Sequence, residues 1–133
     1  MNPKYIANLT PSQRILQARL IKQSQKEYEE TGQVEDRPKV SSKKTKRSNH
    51  VKDFEEKYGF PITDLEKVKK KFPDTDIDTI LAKGAGAYMT SGSRPNVGSF
   101  AWKYARLASV LLGRKAYQID KDLVGEKSRA IIG

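Results

Sequence analysis

The sequence predicts a mainly α fold, a small domain of short helices carrying an extended basic N-terminal arm. Three observations predict it. Apolar residues recur at three- and four-residue spacings in several short stretches bounded by capping residues and by glycine or proline. No stretch alternates apolar and polar residues long enough to make a sheet. Between residues 33 and 49 the chain carries charge but almost nothing to bury.

Taken in order, residues 1–9 read as an irregular tail. Thr10-Pro11-Ser12-Gln13 is a helix start: Thr10 can cap, Pro11 suits the first helical position and Gln13 completes a capping box. The helix should run over about 11–31 and stop at Gly32. Leu16 and Leu20 share a face with Ile21 near it, and Arg14, Arg19, Lys22 and Lys26 surround that thin stripe. A helix this polar is expected to lie on another molecule or on the main domain.

Six basic residues (Arg37, Lys39, Lys43, Lys44, Lys46 and Arg47) follow with no acidic residue among them. Such a segment cannot offset its ordering entropy by burial, so it is expected to order on a partner. Residues 1–47 are therefore read as an arm.

From Ser48 the composition changes. Val51, Phe54 and Tyr58 predict a helix ended by Gly59, and Thr63 with Glu66 opens another carrying Leu65, Val68 and Phe72. Asp74 or Asp76 starts a short helix with Ile77, Ile80 and Leu81, ended by Gly84. Residues 84–98 read as a loop, and Ser99 to Leu112 as the best-written helix, with Phe100, Tyr104, Leu107, Ala108 and Leu111 on one face. Ala116, Tyr117 and Ile119 read as a short extended piece, Asp120 as the cap of a last turn. Residues 48–124 thus make the compact helical domain and 125–133 a basic tail.

Composition bounds the function. Of 133 residues, 26 are Lys or Arg and 16 Asp or Glu, a formal net charge of +10; this fits nucleic acid, an acidic protein surface or an anionic membrane as partner. The hydrophobic share, 36%, is too low for the whole length to be packed core. Absence of cysteine excludes disulfides, thiolate metal sites and a Cys nucleophile. No apolar run approaches the roughly 20 residues of a membrane span, and the start lacks a secretory h-region, so a soluble, unsecreted chain is expected.

No catalytic constellation is legible. His50, the single histidine, has neither nucleophile nor acidic orienter near it in sequence. Asp74, Asp76 and Asp78 begin like a calcium loop, but Thr79 and Ala85 stand where glycine and a carboxylate are needed, so they read as helix caps. The stretch Gly84-Ala85-Gly86-Ala87 with Thr90 to Asn96 offers hydroxyls and Arg94 to an anion, yet has no Walker-type G-K-[ST]; a structural loop is the plainer reading. Trp102 and Arg106, at i and i+4, form either an exposed contact pair or, for Trp102, part of the core. The chain is expected to be no enzyme and to need no cofactor or metal. The residues that read as partner-binding are Arg37, Lys39, Lys43, Lys44, Lys46, Arg47, Arg94, Trp102 and Arg106. Aromatics are absent from the basic run, so any nucleic-acid contact there would be to phosphates.

The run Lys83-Gly84-Ala85-Gly86-Ala87-Tyr88-Met89-Thr90-Ser91-Gly92-Ser93-Arg94-Pro95-Asn96, followed by Ala105-Arg106-Leu107-Ala108-Ser109-Val110, resembles a domain of unknown function found in proteins of large nucleocytoplasmic DNA viruses and some tailed phages. Arg37-Pro38-Lys39-Val40, Lys46-Arg47-Ser48 and Phe54-Glu55-Glu56-Lys57-Tyr58-Gly59 look like its upstream half, so the similarity covers about residues 37–124. One departure is Ser99-Phe100-Ala101-Trp102, where the family pattern has Trp directly after Ser. The resemblance implies a viral setting: a virion component made in the host cytoplasm. A minor capsid protein that ties neighbouring major and minor capsid subunits together through its arm fits it. A DNA-binding virion protein is the alternative.

Overall fold

Helices account for the regular structure of the computed structural model, which describes residues 2–42 and 47–133. They are α1 (Pro11–Thr31), α2 (Asn49–Tyr58), α3 (Leu65–Lys71), α4 (Ile77–Thr90), α5 (Ser99–Leu111), α6 (Lys115–Asp120) and α7 (Glu126–Ile132), with 3-10 turns at Pro3–Tyr5 and Lys121–Leu123. Among the described residues there is no strand, and one isolated bridge joins Thr75 to Val124. The fold is mainly α, as the spacing of apolar residues requires. No helix among the described residues is long and apolar enough to cross a membrane.

The chain forms two compact units: residues 1–46 with 85–102, and residues 47–84 with 103–133. The first is built around α1. Thr10 caps it as the sequence specifies: its Oγ1 accepts from the Gln13 N–H at 3.3 Å while Gln13 Oε1 accepts from the Thr10 N–H at 3.0 Å. Gly32, at φ 68°, ends it and donates to the Tyr28 carbonyl at 2.8 Å. The buried face carries Gln17, Ile21 and Ser24, whereas Leu16 and Leu20 are half-buried. Two of the three buried side chains are polar because each has a partner: Gln17 Nε2 donates to the Ser93 carbonyl, and Ser24 Oγ to the Ile21 carbonyl. Tyr5, Leu9, Val40, Tyr88 and Met89 supply the apolar burial. Gly92, at φ 111°, sits where a Cβ would lie 3.1 Å from both Ile21 and Tyr5, so both backbone and space exclude a side chain.

The second unit holds the larger core: Phe54, Ile62, Val68, Phe72, Ile77, Ile80, Leu107, Ala108, Val110, Leu111, Val124 and Ile132 are buried together. Phe54, Tyr58, Phe60 and Phe72 form a ring cluster with centroids 4.8 to 6.5 Å apart. The Tyr58 hydroxyl donates to the Leu111 carbonyl at 3.0 Å. The start of α3 is capped by Asp64, not Thr63.

Three elements differ from the sequence expectation. Gly84 does not end a helix; α4 continues to Thr90. A Cβ at Gly84 would stand 2.8 Å from Lys103 Cα, so the glycine there serves the close approach of α5 rather than a stop. Residues 115–120 are helical, not extended, and their last residue, Asp120, is drawn into the interior. Residues 126–132, read as tail, form α7. Asp74 reaches across and accepts from the backbone N–H groups of Lys127 and Ser128 and from the Ser128 hydroxyl, and Ile132 is buried. The Ser128 hydroxyl is the first cause holding the Asp74 carboxyl below its usual range.

Each member of the Asp74, Asp76, Asp78 run thus has a structural task. Asp76 caps α4 through the Thr79 N–H and hydroxyl, and Asp78 pairs with Lys69 at 3.2 Å.

Candidate functional site

The residue string 84–96 folds as the end of α4 and the loop after it, and this loop grips residues 36–41 of the arm. Arg37 is the centre of the grip. Its guanidinium lies 3.8 Å from the centroid of the Tyr88 ring. One terminal nitrogen donates to Ser24 Oγ at 2.9 Å and to the Tyr88 carbonyl at 2.7 Å; the other donates to Ser93 Oγ at 2.7 Å. The Arg37 backbone N–H donates to the Tyr88 hydroxyl at 2.8 Å. Burial lowers the Arg37 guanidinium from its usual value and raises the Tyr88 and Tyr5 hydroxyls from theirs.

Two further contacts extend the clasp along the chain. Asn96, at a left-handed φ of 64°, accepts from the Val40 N–H at 2.9 Å and donates to the Ser41 carbonyl at 3.1 Å and hydroxyl at 2.9 Å. Asp36 accepts from the Ser99 N–H at 2.9 Å and so caps the start of α5. It fits there because residue 98 is glycine, whose Cβ would stand 2.7 Å from an Asp36 oxygen.

Chemically this arrangement holds main chain. Arg37 is a planar fork, three of whose donors go to two hydroxyls and a carbonyl. A lysine would keep the charge and lose the fork and the stacking. Arg37→Lys is expected to destabilise the first unit by about 2 kcal/mol, roughly one charged hydrogen bond. Hydrogen exchange at the Val40 and Ser99 amides measures this; unchanged protection there would refute the clasp.

The sequence-predicted site residues are dispersed between the two units. Arg37, Lys39, Arg94 and Trp102 belong to the first. Arg37 is committed inside the clasp, while Lys39 and Arg94 are exposed. Trp102 is half-buried, edge-on to Tyr5 with centroids 6.1 Å apart, and the Lys4 ammonium stands 5.3 Å from its ring. Arg47 and Arg106 belong to the second unit. Arg47 is exposed and paired with Glu55. Arg106 makes a two-pronged contact to Asp120, its Nε and one terminal nitrogen donating at 2.9 and 3.1 Å, and Lys83 Nζ reaches the same carboxylate at 2.8 Å. Asp120 is fully buried. Lys43, Lys44 and Lys46 lie outside the described residues.

Sequence reading alone missed Tyr88, Ser93, Asn96, Ser24 and Asp36 as members of one site. Their signal was present in two pieces, the 37–40 string and the 84–96 string, without a sign that one binds the other. His50 stands 3.0 Å from a guanidinium nitrogen of Arg114, which also pairs with Asp53. Among the described residues no group of His, Asp and Glu is placed to hold a metal.

No curated protein and no solved structure matches the chain. A family model described as a family of unknown function (DUF5824) matches residues 2–124, so it takes in the clasp, the buried Asp120 and every helix but α7. The chain belongs to that family of unknown function.

Proposed function

We propose that the chain is a non-enzymatic virion assembly protein, a minor capsid component that ties neighbouring capsid subunits together through its basic arm. The observation that carries this reading is the clasp at the root of the arm. Residues 36–41 are fixed by Arg37, Asn96 and Asp36, and the exposed Lys39 stands within this anchored segment. The basic run continues directly beyond it. A binding segment whose root is already ordered loses less entropy on docking than a free tail. The resemblance of the 37–40 and 84–96 strings to a viral domain supports the same reading. Crosslinking of intact particles with a lysine-reactive reagent tests it. Crosslinks from Lys39, Lys43, Lys44 or Lys46 to major or other minor capsid proteins are expected; absence of the chain from purified particles would sink the proposal.

A second reading, a sequence-independent DNA-binding virion protein, is favoured by the net charge of +10 and by the acid-free run from Arg37 to Arg47. It requires salt-steep binding to duplex DNA of any sequence. Negligible affinity near physiological salt would remove it.

A further inference from the structure

The first unit carries an exposed row of positive charge that belongs neither to the clasp nor to the basic run at residues 37–47. It lies on α1, on the side away from the buried Gln17, Ile21 and Ser24. Ile15, Arg19, Lys22 and Lys26 recur at i, i+4, i+7 and i+11, and all four are exposed. Along the helix axis Arg19 to Lys26 covers about 10 Å. All six ion pairs among the described residues fall in the second unit, and none involves Arg19, Lys22 or Lys26.

The charge order along α1 opposes what a free helix favours. Residues 1–26 hold five basic residues and no acidic one, and Glu27, Glu29 and Glu30 crowd the end. The helix dipole favours acids at the start and bases at the end, and like charges three or four residues apart repel. Arg19 repels Lys22 and Lys22 repels Lys26, and only Lys26 has acids, Glu29 and Glu30, three and four residues on; an outside counter-charge would relieve the row. Its chemistry narrows the choice. A helix that inserts into a membrane surface needs a free apolar face; the inner face of α1 is used by its own unit, and the outer row holds one large apolar residue, Ile15, and no aromatic. A duplex presents one negative charge per about 1.7 Å of its axis, so a straight 10 Å row meets several phosphates in any register.

We infer that the exposed Arg19–Lys22–Lys26 row of α1 is a phosphate-backbone contact surface for duplex nucleic acid, separate from the basic run of the arm at residues 37–47. This rests on the nucleic-acid reading and moves its contact from that run to α1. It leaves the basic run free for protein, so one chain can bridge shell and genome.

The test uses the full chain and a labelled 30-base-pair duplex of arbitrary sequence, with affinity measured by anisotropy across salt concentrations. One variant carries Arg19→Ala, Lys22→Ala and Lys26→Ala; another carries Ala at Lys39, Lys43, Lys44, Lys46 and Arg47. Alanine keeps or improves helix propensity, and circular dichroism verifies the fold; the glutamine triple variant repeats the measurement if alanine disturbs it. The α1 variant is expected to reduce the salt slope by about 2.7, at roughly 0.9 per contacted phosphate, and to weaken binding at least tenfold. The arm variant is expected to change both far less. Loss confined to the arm variant overturns the inference and leaves the nucleic-acid reading standing. No binding by the wild type overturns both. Displacement of the duplex by polyglutamate, or by phosphatidylserine vesicles, as effectively as by unlabelled duplex at equal charge also overturns it, and would point instead to an acidic protein or a membrane surface.

Discussion

Asp120→Asn is expected to lower the melting temperature by about 10–15 °C. Asparagine matches the shape of the aspartate and removes its charge. Arg106, with a side chain 19% exposed, then loses the counter-charge it grips with two donors, and Lys83 loses its partner as well. Breaking a buried ion pair by neutralising one member costs about 3–5 kcal/mol, because the other charge is left uncompensated. Lys83 is half-exposed, and water takes over part of its loss, which places the expectation near the lower end, about 3 kcal/mol.

The same site sets an acid dependence. Burial pushes the Asp120 carboxyl up, but hydrogen bonds and charge from Arg106 and Lys83 outweigh it, and the group is held below the usual aspartate range. A carboxyl whose folded value is depressed binds its proton more readily when unfolded. Its contribution is complete above about pH 3.9, the ordinary aspartate value, and is lost as pH falls below that through the folded value. Melting curves of wild type and Asp120→Asn should stay a constant distance apart between pH 5 and 8 and converge in stronger acid. Curves that remain equally separated at pH 2 would show that the gap does not come from the charge.

Phe54→Ala is the second large effect, expected to cost about 3–5 kcal/mol. Phe54 is fully buried, with its ring 4.8 Å from Tyr58, 5.6 Å from Phe60 and 6.5 Å from Phe72, centroid to centroid. Removing it leaves a cavity walled by three rigid rings, which cannot collapse easily. The urea midpoint should fall while the denaturant slope holds. Phe54→Leu should recover more than half of the loss. Equal losses for both variants would mean that ring packing, not volume, sets the cost.

How much of this was legible in the sequence depends on whether the cause is local. Thr10 with Gln13, Gly32 and Gly59 announce helix ends because the cap contacts lie within four residues. The α5 stripe is legible for a similar reason, since its repeat is that of the helix itself. Gly84 was misread because a glycine in a helical pattern reads as a stop; what it answers is Lys103, a residue nineteen positions later. Asp120 reads as a cap, and the two cations that draw it inward stand 14 and 37 positions earlier. Arg37 reads as one more charge in a basic run. Its place in the clasp depends on Tyr88 and Ser93, 51 and 56 positions away, and no local pattern signals it. Lys39 and Arg94 are exposed, as Lys and Arg usually are.

The clasp also bears on the timing of synthesis. Arg37 and Tyr88 are 51 residues apart. At about 5–20 residues per second, roughly 3–10 s pass between the making of one and the making of the other. During that interval α1 has left the ribosome with Gln17 still lacking the Ser93 carbonyl and Arg37 lacking its ring and hydroxyls. The helix α1 is thus made well before it is finished, a nascent cation-rich helix that must wait for residues 85–102 before its own unit can close.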